Sequence, residues 1–453
     1  MRRSKKGLYL FIAVVAIIGG VAYFISTSKA FEREKPTIAI SDKIYWNLKK
    51  PIQIKLTDNE AIKEYTVVIS NGKQKKTLEK QILNTPKKEV ELQLKAPADM
   101  EFPSKKAELE IEVRDRSYWN YFLGNSAKKS VKIYIDTKRP ELTLISNSYA
   151  ILKGGSALVV FGCKDENLKE FYIQTNFGKK FYAEPFYKKG YYAALIAWPL
   201  WKKSFRADIV AYDKAGNRAK IHIPLYLKNR RYKKSIIHLK KSFLEGKVSI
   251  LAEDYPQTEG MDLIEKFKFV NETLREQNEK LIHTLTSKVP QKLLQKFVLK
   301  PFYPLKNAAP VASFGTHRYY YYHGKLVSES YHLGLDLASV KRASIKASNA
   351  GDVVFADYNG IYGNMPIISH GLGLYTLYGH CSSILVKKGE HVPRGKTIAK
   401  TGNTGLALGD HLHFGVLVQG IEVHPSEWMD KKWIKVNISD ILRDAKKIID
   451  TTR

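Results

Sequence analysis

Hydrophobic and polar positions change pattern four times along the chain. Residues 7–25 form an apolar run without a charge, long enough for a helix that crosses a bilayer. Arg2, Arg3, Lys5 and Lys6 precede it, which directs the bulk of the chain outside the cytoplasm. An uncleaved anchor is expected. The rival is a cleaved signal peptide, for which Ser28 and Ala30 offer small residues at a cleavage site. From Pro36 to Leu227 short alternating runs, such as 52–56, 65–69 and 109–113, are split by Gly, Asn, Asp and Pro. That pattern predicts β-sandwich strands. From Asn229 to Lys300 the pattern turns helical: 270–282 carries apolar residues at helical spacing, Asp262 is placed to cap the helix, and Pro290 limits a later one. Beyond Lys300 alternation returns, now with many glycines and histidines.

The β-region repeats itself. Pro36-Thr-Ile-Ala-Ile matches Pro140-Glu-Leu-Thr-Leu, and the stretch from Asp58 to Tyr65 matches that from Asp165 to Phe171 with one residue deleted. The stretch from Val113 through Asp115 to Asn120 aligns with Ala211 through Asp213 to Asn217. A period of about a hundred residues is one immunoglobulin-like sandwich per repeat. The Asp213-Lys-Ala-Gly-Asn217 turn resembles those of bacterial Ig-like domains, a resemblance that bears on fold alone. Rigid spacers are the expected role, with binding of the wall or an envelope partner as the alternative. The aromatic clusters Tyr118-Trp119-Tyr121-Phe122 and Tyr191-Tyr192 could pack a core or grip a ligand; core packing is favoured.

A net charge of +31 favours anionic partners such as membrane surfaces and acidic wall polymers. The lysines are spread along the chain and no nucleic-acid module is present, so no nucleic-acid partner is expected. The two cysteines, Cys163 and Cys381, fall in different candidate domains and read as buried small hydrophobes rather than a disulfide.

Nine of the twelve histidines lie between His317 and His424, which locates the chemistry. In Tyr331-His332-Leu-Gly-Leu-Asp336 the apolar residues alternate, so His332 and Asp336 are expected on one strand face, with Gly334 leaving open space between them. A neutral imidazole and a carboxylate suit zinc. In Asp410-His411-Leu-His413-Phe414, His411 and His413 are two apart on a strand and share a face, where two charged imidazoles would repel unless a metal takes one as a neutral ligand. His380 ends the alternating run Leu377-Tyr378-Gly379-His380, able to enter a groove, with Cys381 pointing away.

In this order the three pieces resemble the lysostaphin-like, LytM-type zinc endopeptidases, which carry His-x-x-x-Asp, Tyr-x-His and His-x-His. The flanks are similar too: Tyr362-Gly363-Asn364, Ser369-His370-Gly371, a hairpin from Val386 to Ile398, and Thr401-Gly402-Asn-Thr404-Gly405. The resemblance covers about 310–430. It implies His332, Asp336 and His413 as ligands of one Zn2+, and His380 and His411 as the catalytic pair, His411 being the general base and His380 stabilising the oxyanion or protonating the leaving amine. Asp410 stands where the family usually has Pro, Gly415 where Glu is common, and Cys381 where Leu is usual; these put the substrate subsites in doubt. Asp410 is a candidate to orient His411, with a surface carboxylate as the equal alternative. His370, His391 and His424 read as structural or exposed. His317 and His323 are candidates to line the groove, and Arg318 to bind a substrate carboxylate.

The expectation is therefore a mainly β protein. Residues 1–30 form a basic tip and transmembrane anchor, 31–137 and 138–228 two Ig-like β-sandwiches, and 229–300 a helical connector. Residues 301–435 form an antiparallel lysostaphin-like domain of the duplicated hybrid motif type, and 436–453 a helical tail. The function implied is zinc-dependent cleavage of peptide cross-links in peptidoglycan, from the periplasmic side of an inner membrane, with the peptide stems as substrate. The alternative is a non-catalytic wall-binding or regulatory protein that activates other hydrolases.

Overall fold

The computed structural model describes residues 6–452 and is mainly β. Lys6–Thr27 is a 22-residue helix with no buried residue, long and apolar enough to cross a membrane. The chain divides into two compact units. One runs to Pro140 and includes 166–169 and 212–218; the other comprises 141–165, 170–211 and everything from Ala219 onward.

In the first unit, alternation builds a six-stranded sheet in the order Thr37–Ala39, Ile52–Ser70, Lys106–Asp115, Ser126–Ile135, Lys43–Trp46, with Lys75–Leu94 pairing along Ile52–Ser70. The runs 52–56 and 65–69 are not separate strands. Register shifts between Thr57 and Glu64 absorb the polar Asp58-Asn-Glu stretch as an irregularity within one 19-residue strand. Leu56, Ile62, Val67, Leu109, Val113 and Val131 are fully buried and centre the core.

In the second unit, the repeated β-region contributes a four-stranded sheet ordered Glu184–Pro185, Tyr191–Ala197, Ser156–Lys164, Glu141–Asn147. Tyr192 packs there against Phe161 and Phe171, as a core residue does. The loop Tyr118–Trp119–Tyr121–Phe122 of the first unit does not: Tyr118, Tyr121 and Phe122 are 53%, 91% and 69% exposed, because the chain inserts them in a tight loop beyond the end of the sheet.

The helical stretch follows. Asp262 accepts hydrogen bonds from the Ile264 and Glu265 amides, and the Glu265 carboxylate in turn accepts one from the Asp262 amide, a complete capping box. Helical turns then run through to Thr286, with wider turns at Phe269–Leu274. Phe267, Val270, Leu274 and Ile282 share a core with Ile367, Tyr375 and Leu417 of the C-terminal sheet and with Tyr362 of the turn Gly360–Tyr362, so these helices pack into that core. Ahead of them Lys234–His238 is a strand, parallel to His317–Tyr322, which pairs with Lys325–Tyr331.

The C-terminal sheet has eight strands. Its centre is antiparallel Leu335–Ala338, Leu412–Val418, Leu374–Gly379 and Asn364–Ser369, with Asp336 opposite His413 and Gly379 opposite His413 on the other side. This register brings three separate sequence pieces onto one strand centre. The chain ends in the helix Asp440–Thr451, which buries Leu442, Ala445 and Ile449. Cys163 and Cys381 are both buried and unpaired.

Candidate active site

Asp336 projects from Leu335–Ala338, and His413 from the neighbouring Leu412–Val418. His332 is not on the Asp336 strand. The strand before it ends at Tyr331, and the chain bends through Leu333 and Gly334 before the next begins at Leu335. The bend still brings His332 Nε2 to 2.9 Å from Asp336 Oδ1 and 3.1 Å from His413 Nδ1, while His413 Nδ1 lies 2.8 Å from Asp336 Oδ1. Gly334 does not leave open space. A Cβ there would lie 2.5 Å from the His413 ring, so the ring occupies the volume that the missing side chain frees.

The tautomers follow from the partners. His332 Nδ1 lies 2.9 Å from the Ser313 carbonyl oxygen, which only accepts, so Nδ1 carries the hydrogen. Burial lowers the His332 pKa to about 4 against the opposing pull of Asp336, so the ring is neutral and Nε2 is a lone pair. That lone pair faces a carboxylate oxygen at 2.9 Å, a contact that repels unless a proton or cation lies between. At most His413 Nδ1 could offer one proton to two acceptors. Two imidazole nitrogens and a carboxylate oxygen converging in this way would suit zinc.

His380 and His411 face the same space. Their rings are 4.8 Å apart, and the His380 ring is 5.8 Å from that of His413. His380 Nδ1 donates to the Thr404 carbonyl at 2.9 Å and His411 Nδ1 to the Gly409 carbonyl at 2.8 Å, which leaves Nε2 of each as a lone pair when the ring is neutral. His411 Nε2 is 3.7 Å from Asp336 Oδ2. Burial, then the nearby His413 and His411, lower the His380 pKa to about 3. Its backbone is left-handed at φ 62°, a strained conformation for a side-chain-bearing residue, held by its amide donating to the Tyr362 carbonyl. Cys381 turns away, its buried Sγ 3.2 Å from the Tyr378 carbonyl and its pKa pushed to about 12 by burial.

These groups line a groove of about 870 Å³. Arg318 enters it with Nη2 3.7 Å from Asp336 Oδ2. His317 and His323 lie outside its lining; His317 instead meets Glu329 at 2.9 Å and stacks on Tyr331. Asp410 does not hold His411. It accepts from Thr401 Oγ1 at 2.6 Å and from the Arg342 amide at 3.1 Å, and so ties two loops together at the rim. His370 is structural, bonded to the Ala350 carbonyl and Thr376, and His424 caps a helix through the Ser426 amide. His391 is exposed beside Asp352.

Residues 330–425 match the family model described as Peptidase family M23. The C-terminal domain is an M23 peptidase domain. The chain is 41% identical over 93 residues to the peptidoglycan DD-endopeptidase ShyA of Vibrio cholerae, covering 20% of this chain and 22% of that protein. It is 36% identical over 94 residues to the DD-carboxypeptidase/endopeptidase Mpg of Neisseria gonorrhoeae, covering 21% and 22%. The chain thus spans about a fifth of the length of these curated relatives. Among solved structures, the catalytic domain of lysostaphin from Staphylococcus simulans is 25% identical, covering 27% of this chain and 92% of that one, with a TM-score of 0.23.

Several parts of the M23 groove carried no sequence signal. The carbonyls of Ser313, Thr404 and Gly409 set three tautomers, yet every residue has a carbonyl. Residues 233–235 and 237–240, Phe267 and Arg275 line the groove from outside the matched segment.

Proposed function

We propose that this protein is a membrane-anchored zinc endopeptidase that hydrolyses amide bonds in the peptide cross-links of peptidoglycan. The observation that carries this reading is the His332 Nε2 lone pair facing the Asp336 Oδ1 acceptor at 2.9 Å, with His413 Nδ1 within 3.1 Å of both, a cluster that a cation would satisfy. His332, Asp336 and His413 would hold one zinc ion per chain. Bound there, zinc supplies a Lewis acid that polarises a carbonyl and makes water acidic enough to act as a nucleophile near neutral pH.

The chain's own residues supply the rest. His411 Nε2 takes the proton from the attacking water, and its Nδ1–H···O=C bond to Gly409 keeps the ring aimed. The proton that His411 takes from the water is the one the leaving amine needs; His380, its ring 4.8 Å from that of His411, can receive it and hand it to the amine, or hold it briefly to stabilise the developing oxyanion. Arg318 at the groove wall offers a guanidinium to a carboxylate of the peptide stem. The complete His/Asp/His set favours an enzyme over a wall-binding or regulatory protein.

The rest of the chain serves placement. Residues 1–30 are an anchor in an inner membrane, 31–137 and 138–228 two Ig-like sandwiches that can meet an envelope partner, and 229–300 a connector. Residues 301–435 are the duplicated hybrid motif peptidase domain and 436–453 a helical tail. The bulk of the chain then stands in the periplasm. The test is elemental analysis of the full chain in detergent beside His332→Ala, followed by incubation with isolated peptidoglycan. One zinc per chain, lost in the variant, with new amino groups released from the wall, supports the reading. A zinc-loaded chain that releases none overturns it.

A further inference from the structure

The two repeats of the β-region end a strand with the same turn, and they differ in one place. In the second, the Asn217 amide donates to Asp213 Oδ1 at 2.8 Å and Asn217 Nδ2 to Asp213 Oδ2 at 2.7 Å. In the first, the Asn125 amide donates to Asp115 Oδ1 at 2.8 Å and Asn125 Nδ2 to Asp115 Oδ2 at 2.7 Å. Asn125, not Asn120, is therefore the counterpart of Asn217. Asp and Asn are four apart in the second repeat (217 − 213) and ten apart in the first (125 − 115), so the first turn carries six extra residues.

The extra residues are mostly aromatic or apolar and mostly outside. Besides Tyr118, Tyr121 and Phe122, Leu123 is 55% exposed. Asn120, Tyr121 and Phe122 are successive left-handed residues, with φ of 52°, 57° and 67°. Each such residue costs free energy relative to ordinary backbone, because its Cβ crowds the following carbonyl oxygen. Three bonds close the loop on itself: the Phe122 amide to Tyr118 O, Leu123 to Asn120 O, and Gly124 to Trp119 O. A strained, rigid loop that holds large apolar side chains in water needs an apolar partner.

The helix Lys6–Thr27 identifies that partner. The Tyr118 amide donates to the Ala30 carbonyl at 2.7 Å, and Ser117 Oγ to the Glu32 carbonyl at 2.7 Å, which fixes the loop against the chain leaving the helix. The rings continue the helix's apolar surface: Phe24 to Phe31 at 6.2 Å, and Phe31 to Tyr118 and Phe122 at 5.9 and 6.4 Å. Arg33 lies over Trp119 at 4.1 Å. A helix of 22 residues is about 33 Å long, close to the ~30 Å of a hydrocarbon core, so Thr27 reaches the far interface and Phe31 lies just beyond it. Tyrosine and tryptophan prefer that interface, where the ring is apolar and its polar tip stays wet.

We infer that the loop around Tyr118–Leu123 is a membrane foot: it inserts into the outer interface of the bilayer that the helix crosses and holds the first β-domain against the lipid surface. This rests on the anchor reading, and the experiment separates the two. The full chain is reconstituted into phosphatidylcholine–phosphatidylglycerol vesicles. An environment-sensitive fluorophore is attached to Tyr121→Cys, to Val15→Cys in the helix, or to Lys73→Cys. Lys73 lies in the turn after Ser70, which pairs with Glu108 at the opposite end of the sheet from Asp115. The native cysteines are both buried and should not compete. The expected result is several-fold weaker iodide quenching at Tyr121 than at Lys73, with quenching by headgroup-region nitroxide lipid at Tyr121 alone of these two. If the Val15 label is shielded while the Tyr121 label is as open to iodide as Lys73, the foot is overturned and the anchor stands. If Val15 is open as well, both fall.

Discussion

At the residue scale, the proposed zinc site depends on one glycine as much as on the side chains proposed as its ligands. His413 occupies the volume beside Gly334, where any Cβ would come within 2.5 Å of the ring. Gly334→Ala should therefore push His413 out of line and lower zinc affinity at least tenfold with every ligand retained; competition with a chromogenic chelator measures this, and unchanged affinity would refute the packing argument. The proposed catalytic pair predicts a different split. His411→Gln should keep zinc and lose about 10²–10⁴ in turnover, the usual contribution of a general base. Elemental analysis beside a peptidoglycan digestion assay reads both quantities, and full activity in the variant would move the base assignment to His380.

At the element scale, the helices between Leu263 and Thr286 share a hydrophobic core with the C-terminal sheet. Phe267 is fully buried, its ring 5.1 Å from Tyr320, and it also reaches the groove. Phe267→Ala should cost about 3–5 kcal/mol, as large-to-small changes in a packed core do. Chemical denaturation followed by tryptophan fluorescence would show it as a lower midpoint. A loss under 1 kcal/mol would mean the helix does not share the sheet's core. The first β-domain teaches a similar point about strands. Asp58-Asn-Glu reads as a turn in sequence, yet the residues flanking it pair on both sides, Thr57 with Thr37 and Glu89 and Ile62 with Lys87 and Asp115, and it becomes an irregularity inside Ile52–Ser70.

At the scale of the whole molecule, the second unit is fastened by buried polar contacts between distant sequence positions. Glu184, 3% exposed, accepts from the Leu372 amide of the M23 domain at 2.8 Å. Burial raises its pKa from 4.5 to about 7, although the Leu372 bond opposes the shift. A carboxyl raised on folding binds its proton more tightly in the folded state. Its contribution is thus present in full below about 4.5 and is lost as pH rises towards 7. Glu184→Gln should flatten the pH dependence of unfolding over that window by on the order of 3 kcal/mol, at about 1.4 kcal/mol per unit. Thermal unfolding of both proteins at pH 5 and pH 7.5 is the check; parallel slopes would exclude Glu184 as the cause.

The sequence by itself determined the residue types of the site and the periods of its elements. Asp262 and Glu265 specify a capping box locally, because all its partners lie within three residues. His332, Asp336, His380, His411 and His413 were legible because their spacing repeats a family's pattern, and the structure gathers all five at one groove. Tertiary structure decided the rest, since those contacts lie far apart in sequence or run through groups every residue shares. Strand periodicity put His332 and Asp336 on one strand, but a bend at Gly334 and the register with His413 make them converge. Asp410 was a candidate for His411 on adjacency, yet Thr401 and the Arg342 amide claim it. Tyr118, Tyr121 and Phe122 have a core-like composition and lie outside, because exposure depends on where a loop ends up in space and not on which side chains it carries.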